Sequence, residues 1–442
     1  MSSIDFSIPN LGECKVASPI KLSKVMDDFI ANYVNDRQFI IYDLDAECDG
    51  EPITRTYQRS DLMEQAGPRE HIYFDPSKVC AGIVTCGGLC PGLNDVIRSI
   101  VMTLWHHYGV RNIHGIRYGY QGFLPENEIS PIRLDPQTVS NIHRSGGTML
   151  GSSRGGGDRV EDILDAIERM NLNVLFTIGG DGTQKGALRI ARAARERGRC
   201  LAVIGVPKTI DNDLSFVQRS FGFETAVSLA AEAVSAAHVE AVGSINGIGL
   251  VKVMGRESGF IAAYTTLAVN EVNFVLVPEV PFDLEQPNGL LAHVEQRIKE
   301  RGHAVILVAE GAGQGLLEAA AEVDASGNKK LGDIGVFLRK RLLEHGKRVG
   351  LPLQVRYIDP SYTIRSAPAN PNDSVYCARL GANAVHAAMA GKTEMLVSLF
   401  NNHYVHVPMA LSTSRRNYID PESPLWRDVM TATGQPPLML NR

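Results

Sequence analysis

The chain has 442 residues, 44% of them apolar and 21% charged, the ordinary balance of a folded enzyme rather than of a disordered or fibrous protein. Its length exceeds what one hydrophobic core usually organises, so two lobes are expected. The net charge of −5, from 44 basic and 49 acidic residues, excludes the basic excess of a nucleic-acid or anionic-membrane binder, and any anionic ligand must be held by a local basic cluster.

Residues 1–75 carry scattered charge without strong periodicity and read as an N-terminal extension wrapping the body or a neighbour. No basic-then-apolar leader is visible there, and no apolar run along the chain reaches the ~20 residues of a membrane helix. Seven scattered cysteines fit free thiols in a reducing compartment, with no second Cys or His pair at zinc-ligand spacing. A cytoplasmic location is expected. From Val79 onward, short β-branched runs alternate with longer helical patterns, the texture of a parallel sheet with crossover helices. Strands are predicted at Val79–Thr85, Asn112–Arg117, Asn173–Ile178, Leu201–Val206, Gly249–Met254, Phe274–Val277, Ala304–Ala309 and Gln354–Tyr357. The helices between them are predicted at Gly92–Tyr108, Gly157–Met170, Thr183–Glu196, Thr225–Val242, Ser258–Val269, Leu284–Glu300 and Asp333–His345. A last helix, Asp373–Ala390, leads to a strand pair near Met395–Phe400 and Tyr404–Val407. The expected fold class is α/β, with two Rossmann-like lobes, each a mostly parallel sheet flanked by helices, behind the N-terminal extension. One lobe is expected over 76–221, completed by 366–402, and the other over 222–365, completed by 403–442.

In open α/β sheets ligands gather beyond the carboxyl ends of the strands. After the first strong strand comes "TCGGLCPGLNDVIRSI", in which Gly87 and Gly88 end a strand and Pro91 and Gly92 open a helix. Such a turn either cradles a phosphate on helix N–H donors or simply connects two elements tightly. After the third comes "FTIGGDGTQKGALRI", which repeats the logic with an acid inside: Gly180, Asp181, Gly182, Thr183. A carboxylate in a phosphate-seeking loop is either a helix cap or the holder of a magnesium ion between acid and phosphate. After the fourth, "GVPKTIDNDL" places Lys208, Thr209, Ile210, Asp211 and Asp213 together, more charge than a turn requires. Asp211 suits a general base for a hydroxyl attacking phosphorus. Lys208, and Arg154 from "GSSRGGGD", offer positive charge where negative charge builds, although single loop arginines are commonly surface ion-pair partners. Further on, "VKVMGRESGF" brings Met254, Gly255 and Arg256, "VAEGAG" brings Glu310, and "VRYIDPSYTIRSAP" brings Arg356, Tyr362, Thr363, Ile364 and Arg365. Arginines suit phosphate and a glutamate suits sugar hydroxyls.

"GGDGT", "PKTIDNDL", "MGRESGF" and "YTIR", in this order and spacing, resemble the 6-phosphofructokinase family over residues 79–407, the long-chain enzymes of trypanosomatids and plants most of all. The resemblance implies phosphoryl transfer to the 1-hydroxyl of fructose 6-phosphate in glycolysis. It implies that Gly87, Gly88, Arg154, Gly155, Gly180, Asp181, Gly182 and Thr183 bind the nucleotide in the 76–221 lobe, with Asp181 on Mg2+. Thr209, Ile210, Asp211, Met254, Gly255, Arg256, Glu310, Arg356 and Tyr362 to Arg365 then bind the sugar phosphate. Asp211, Arg154, Lys208 and Thr209 are the catalytic candidates. A homotetramer or homodimer is implied as well. Two positions depart from the short bacterial enzymes: Gly247 stands where they carry an arginine that crosses a subunit interface, and Tyr362 replaces their histidine.

The donor divides this family between ATP and pyrophosphate. Lys208 resembles the pyrophosphate users, whereas Gly182 replaces their aspartate and leaves room for the α-phosphate of ATP. A carboxylate excludes a phosphate more firmly than an added cation attracts one, so ATP is the expected donor. An NAD kinase gives the later arginines no role, and a silent sugar-phosphate-binding regulator predicts damage at Asp181, Asp211 or Arg154, all of which are present.

Overall fold

A computed structural model describes residues 4–43, 56–285, 287–317 and 331–441, so residues 1–3 and 44–55 of the expected extension lie outside the described residues. In chain order the strands are β1 (Val16–Ala17), β2 (Phe39–Ile41), β3 (Leu62–Gln65), β4 (His71–Ile72), β5 (Cys80–Thr85), β6 (Asn112–Ile116), β7 (Ile132–Arg133), β8 (Val174–Gly179), β9 (Ala202–Pro207), β10 (Gly247–Val253), β11 (Phe274–Leu276), β12 (His303–Ala309), β13 (Gln354–Ile358), β14 (Met395–Phe400) and β15 (His403–Pro408). The α-helices are α1 (Leu93–Met102), α2 (Val160–Arg169), α3 (Asp181–Glu196), α4 (Phe223–Val242), α5 (Phe260–Val269), α6 (Leu290–Arg301), α7 (Ile334–Arg348), α8 (Ser361–Arg365), α9 (Pro371–Met389), α10 (Met409–Ser412) and α11 (Pro424–Thr433).

The chain divides into two compact units. The first takes the described residues up to Thr209, then Leu214–Phe221 and Pro368–Arg416; the second takes Ile210–Asp213, Gly222–Ala367 and the described residues from Asn417.

The first unit holds a sheet ordered β2-β3-β15-β14-β9-β8-β5-β6-β7. Its centre, β14-β9-β8-β5-β6, is parallel, and antiparallel strands close both edges. Every residue of β5, β8 and β9 is buried, which is why these strands read as unbroken Val/Ile runs rather than alternating ones. Helices α2 and α3 lay Ile163, Leu164, Ile167, Ala187, Ile190 and Ala194 on one face of that sheet. Helix α1 starts at Leu93, after Gly92 in the left-handed conformation, and continues as a π-turn over Thr103–His107.

The second unit holds a four-stranded parallel sheet, β11-β12-β10-β13. Helix α4 presents Ala226, Ala230, Val234, Ala237 and Ala241, spaced three and four apart, to one face. The close approach is visible at Gly249, where a Cβ would stand 2.6 Å from the Ala237 carbonyl oxygen. The other face is covered by Leu290, Leu291, Val294 and Ile298 of α6 and by Leu338 and Leu342 of α7.

Three expectations are corrected. The return to the second unit falls after Arg416, not after 402, because β15 pairs with β14 along its whole length and stays in the first unit. Ile210–Asp213 belong to the second unit rather than to the 76–221 lobe. Helix α6 begins at Leu290 instead of Leu284, since Pro287, Asn288 and Gly289 intervene and Gly289 takes the cap position. Among the described residues no helix is long and apolar enough to cross a membrane.

Candidate active site

In the first unit β5, β8 and β9 are parallel neighbours, so their C-terminal ends deliver three loops to one edge of the sheet. The chain leaves β5 through Gly87, whose φ of 87° favours glycine, and the Gly87 N–H donates to the Ser153 carbonyl at 2.9 Å. Ser152 Oγ donates in turn to the Gly87 carbonyl at 2.6 Å. This lacing brings Arg154 to the turn, with its guanidinium 4.0 Å from where a Cβ on Gly88 would stand. Gly155 follows with φ 78°. Lys208, just past β9 and 7% exposed, donates from Nζ to the Gly88 carbonyl at 2.8 Å, and its backbone N–H donates to the Gly179 carbonyl at 3.1 Å. Gly87, Gly88, Arg154 and Lys208 thus form one cluster with two cations, and Gly180 adjoins it, a Cβ there lying 3.2 Å from the Lys208 carbonyl oxygen. Behind it, burial pushes the Cys86 thiol up to about 12, which makes it packing rather than chemistry.

Asp181 opens α3, but its side chain does not cap the helix. Gly180 occupies the cap position without a side-chain bond, and the Asp181 carboxylate pairs with Lys185 one turn on at 2.9 Å. The Thr183 carbonyl accepts from the Tyr120 hydroxyl at 2.8 Å, which anchors the first turn. A Cβ on Gly182 would meet nothing within 4 Å. Among the described residues no three His, Cys, Asp or Glu side chains group to hold a metal unaided. One hard carboxylate at a helix N-terminus fits magnesium that takes its other ligands from phosphate and water.

In the second unit the loops after β10 and β12 interlock backbone to backbone. The Glu310 N–H donates to the Val253 carbonyl at 2.9 Å and the Gly311 N–H to the Gly255 carbonyl at 3.0 Å. Gly255 has φ 124°, and a Cβ on Gly311 would stand 1.9 Å from the Arg256 carbonyl oxygen, so neither position accepts a side chain in this geometry. Ser258, fully buried, donates from Oγ to the Asp211 carbonyl at 3.1 Å. The Asp211 carboxyl is pushed up to about 7: burial is the main cause, the carboxylates of Asp213 and Glu310 add to it, and the Arg365 guanidinium and the Arg256 N–H oppose it. Arg365 lies 6.0 Å from the ring centre of Tyr362, which is 81% exposed.

Asp211, Arg256, Glu310 and Arg365 are therefore brought together within the second unit. Met254 and Ile364 have side chains sealed in its apolar cluster, with Ile210 packed against it, so they offer backbone and shape, not polar contacts. Thr363 is exposed on α8. Thr209 is the last residue before the chain passes into the second unit, and its carbonyl accepts from the Ser220 hydroxyl. Arg356, on β13, pairs in register with Gly249, and its guanidinium lies 3.5 Å from Glu240 of α4. Sequence reasoning missed Ser152, Ser153 and Ser258. Short hydroxyl side chains in glycine-rich stretches read as turn formers, and only their position beside Arg154 and Arg256 marked them.

The phosphofructokinase family model matches residues 80–388. The chain is 52% identical to a protein of Borreliella burgdorferi named ATP-dependent 6-phosphofructokinase, covering 99% of this chain and 98% of the other. It is 49% identical to a protein of the same name from Trypanosoma cruzi, covering 84% of this chain and 76% of the other. Its fold is similar to the crystal structure of a pyrophosphate-dependent phosphofructokinase from Marinobacter aquaeolei, with a TM-score of 0.65 and 21% identity over 80% of this chain and 91% of that chain.

Proposed function

The chain belongs to the phosphofructokinase family, and we infer that it transfers the γ-phosphoryl group of ATP to the 1-hydroxyl of fructose 6-phosphate. It is a phosphotransferase, and its products are ADP and fructose 1,6-bisphosphate. The sugar oxygen bonds to the γ-phosphorus, the bridge to the β-phosphate breaks, and the hydroxyl proton needs an acceptor. Asp211 accepts it: a carboxyl held near 7 among Arg256, Glu310 and Arg365 is matched to proton transfer near neutral pH, and this observation carries the assignment.

The first unit is the nucleotide-binding unit in this reading. Gly87, Gly88, Gly155 and Gly180–Thr183 let the backbone approach the phosphates, and Lys208 and Arg154 offset charge on the group in transfer. Asp181 would hold magnesium, which would supply positive charge against the phosphates. The second unit binds fructose 6-phosphate. Arg256 and Arg365 take its phosphate, with Tyr362 and Thr363 as hydroxyl donors, and Glu310 takes sugar hydroxyls. Ile210, Met254, Gly255 and Ile364 shape the pocket through backbone and bulk. The open space at Gly182 and the names of relatives near 50% identity support ATP as the donor. Assembly as a homotetramer or homodimer and a cytoplasmic location belong to the same reading; the described cysteines are all free thiols, which suits a reducing compartment.

A coupled assay with ATP and pyrophosphate side by side tests it. Fructose 1,6-bisphosphate should form with ATP; rapid turnover with pyrophosphate and none with ATP would overturn the choice of donor.

A further inference from the structure

Lys252 sits on β10, two residues before Met254, with a side chain 11% exposed. Its ammonium lies 2.9 Å from Asp359 Oδ2 and 3.0 Å from Asp333 Oδ2. Each aspartate uses its other oxygen to hold a local turn. Asp359 Oδ1 accepts from the Ser361 N–H at 3.1 Å and from Ser361 Oγ at 2.5 Å, setting the start of α8. Asp333 Oδ1 accepts from the Val336 N–H at 3.1 Å, capping α7, and from the Tyr357 hydroxyl at 3.2 Å. The residue before Asp333 is clasped to the Glu310 loop: Gln314 Nε2 donates to the carbonyls of Glu310 at 2.6 Å and Gly332 at 3.0 Å, and the Gly332 N–H donates to Gln314 Oε1 at 3.0 Å.

One ammonium therefore ties together the three segments that carry Arg256, Glu310 and Tyr362–Arg365. We propose that Lys252 is a positioning residue for the sugar-phosphate site, fixing α8 against the end of β10 through Asp359. The proposal rests on the assignment of those three segments to fructose 6-phosphate. Without the ammonium, Asp333 and Asp359 face each other as like charges in a half-buried pocket, and they separate. The turn at Ser361 loosens and the α8 donors lose their register.

Lys252→Met keeps the aliphatic stem and removes the charge. The Michaelis constant for fructose 6-phosphate should rise about tenfold, the scale of a sub-ångström misplacement, with kcat and the constant for ATP unchanged, because the lost contact serves ground and transition states alike. Asp359→Asn should act in the same direction, and Lys252→Arg should restore affinity. The double variant Lys252→Met, Asp359→Asn should cost no more than either change alone. Arg256→Ala, run beside them, tests the underlying site: an unchanged constant for the sugar there overturns the assignment itself. A raised constant in Arg256→Ala with none in Lys252→Met or Asp359→Asn overturns only the positioning role. An equal loss on both substrates, with falling kcat, marks a general structural role and overturns it too. Should Lys252→Met not fold, Asp359→Asn and Lys252→Arg decide between these outcomes.

Discussion

The Lys208 ammonium donates to the Gly88 carbonyl at 2.8 Å, which joins the loop after β9 to the glycine turn after β5. A buried cation placed there is preorganised for an anion, since its position is set before any ligand arrives. Lys208→Met should lower turnover with ATP by roughly 10²-fold, the usual worth of one electrostatic donor at a site of charge development. Steady-state kinetics at saturating fructose 6-phosphate measure it, and wild-type turnover would remove Lys208 from that role.

Asp211 makes a prediction with two readouts. Only the ionised carboxylate accepts a proton, and its pKa is raised to about 7, so kcat/KM should fall as the pH drops below 7 and level off above it. Asp211→Asn should keep the Michaelis constant for the sugar and lower kcat by roughly 10²-fold or more. Linkage gives the second readout. A carboxyl whose folded pKa is raised gives up stability as the pH climbs through that value, because the folded state resists its ionisation. The variant should therefore melt no lower than the parent at pH 8, and higher if burial dominates. A flat pH profile combined with a lower Tm would take Asp211 out of the chemistry.

Much of this arrangement was legible in the residues. β5, β8, β9, β10 and β12 are buried on both faces, so apolar runs mark them, and glycines mark the loops beyond them. The edges of the larger sheet were hidden. β3 and β15 meet at Glu64 and His406, both buried, and charged residues read as surface wherever their partners are distant in sequence. Helix α11 begins on a Ser423 cap and Pro424, yet only Trp426, Val429 and Thr433 are buried along it, too few to show a period. The place of Arg356 was hidden for another reason. It lies six residues before Tyr362, but on β13, where the sheet register sets it opposite Gly249. Closeness in sequence is not closeness in space across a strand.

Gly182 tests the donor with little risk to the fold. A Cβ there meets nothing within 4 Å, so Gly182→Asp has room in the folded chain, and its Tm should stay within a few degrees. The new carboxylate would sit on the loop assigned to the nucleotide and repel its phosphates. The Michaelis constant for ATP should rise by about tenfold or more, as one like-charge contact of about 1.4 kcal/mol suffices for that factor. Unchanged ATP kinetics in a folded variant would show that position 182 does not select the donor.

Glu64 should govern acid stability without touching catalysis. On β3, its Oε1 lies 2.9 Å from Lys392 Nζ, 3.1 Å from Arg69 Nη2 and 3.2 Å from His406 Nδ1. All four side chains are less than a tenth exposed, and Arg69 reaches on to Asp36 at 3.0 Å. Burial opposes ionisation of Glu64, but the hydrogen bond from His406 and the ammonium of Lys392 outweigh it and hold the carboxyl well below the usual carboxylate range. A depressed folded pKa means stability that is present above the unfolded value and lost as the pH falls through the folded one. Glu64→Gln leaves the buried cations Lys392 and Arg69 with only the exposed Asp36 as a shared anion, and the broken buried pair costs about 3 kcal/mol. The variant should melt well below the parent at pH 7 while keeping kcat. The gap should narrow as the pH is lowered past about 4, where the parent's carboxyl begins to lose its advantage over the unfolded chain. Thermal melts of both proteins from pH 3 to 8 measure this, and a gap that stays constant across the range would mean that the cluster stabilises the sheet edge by packing rather than by charge.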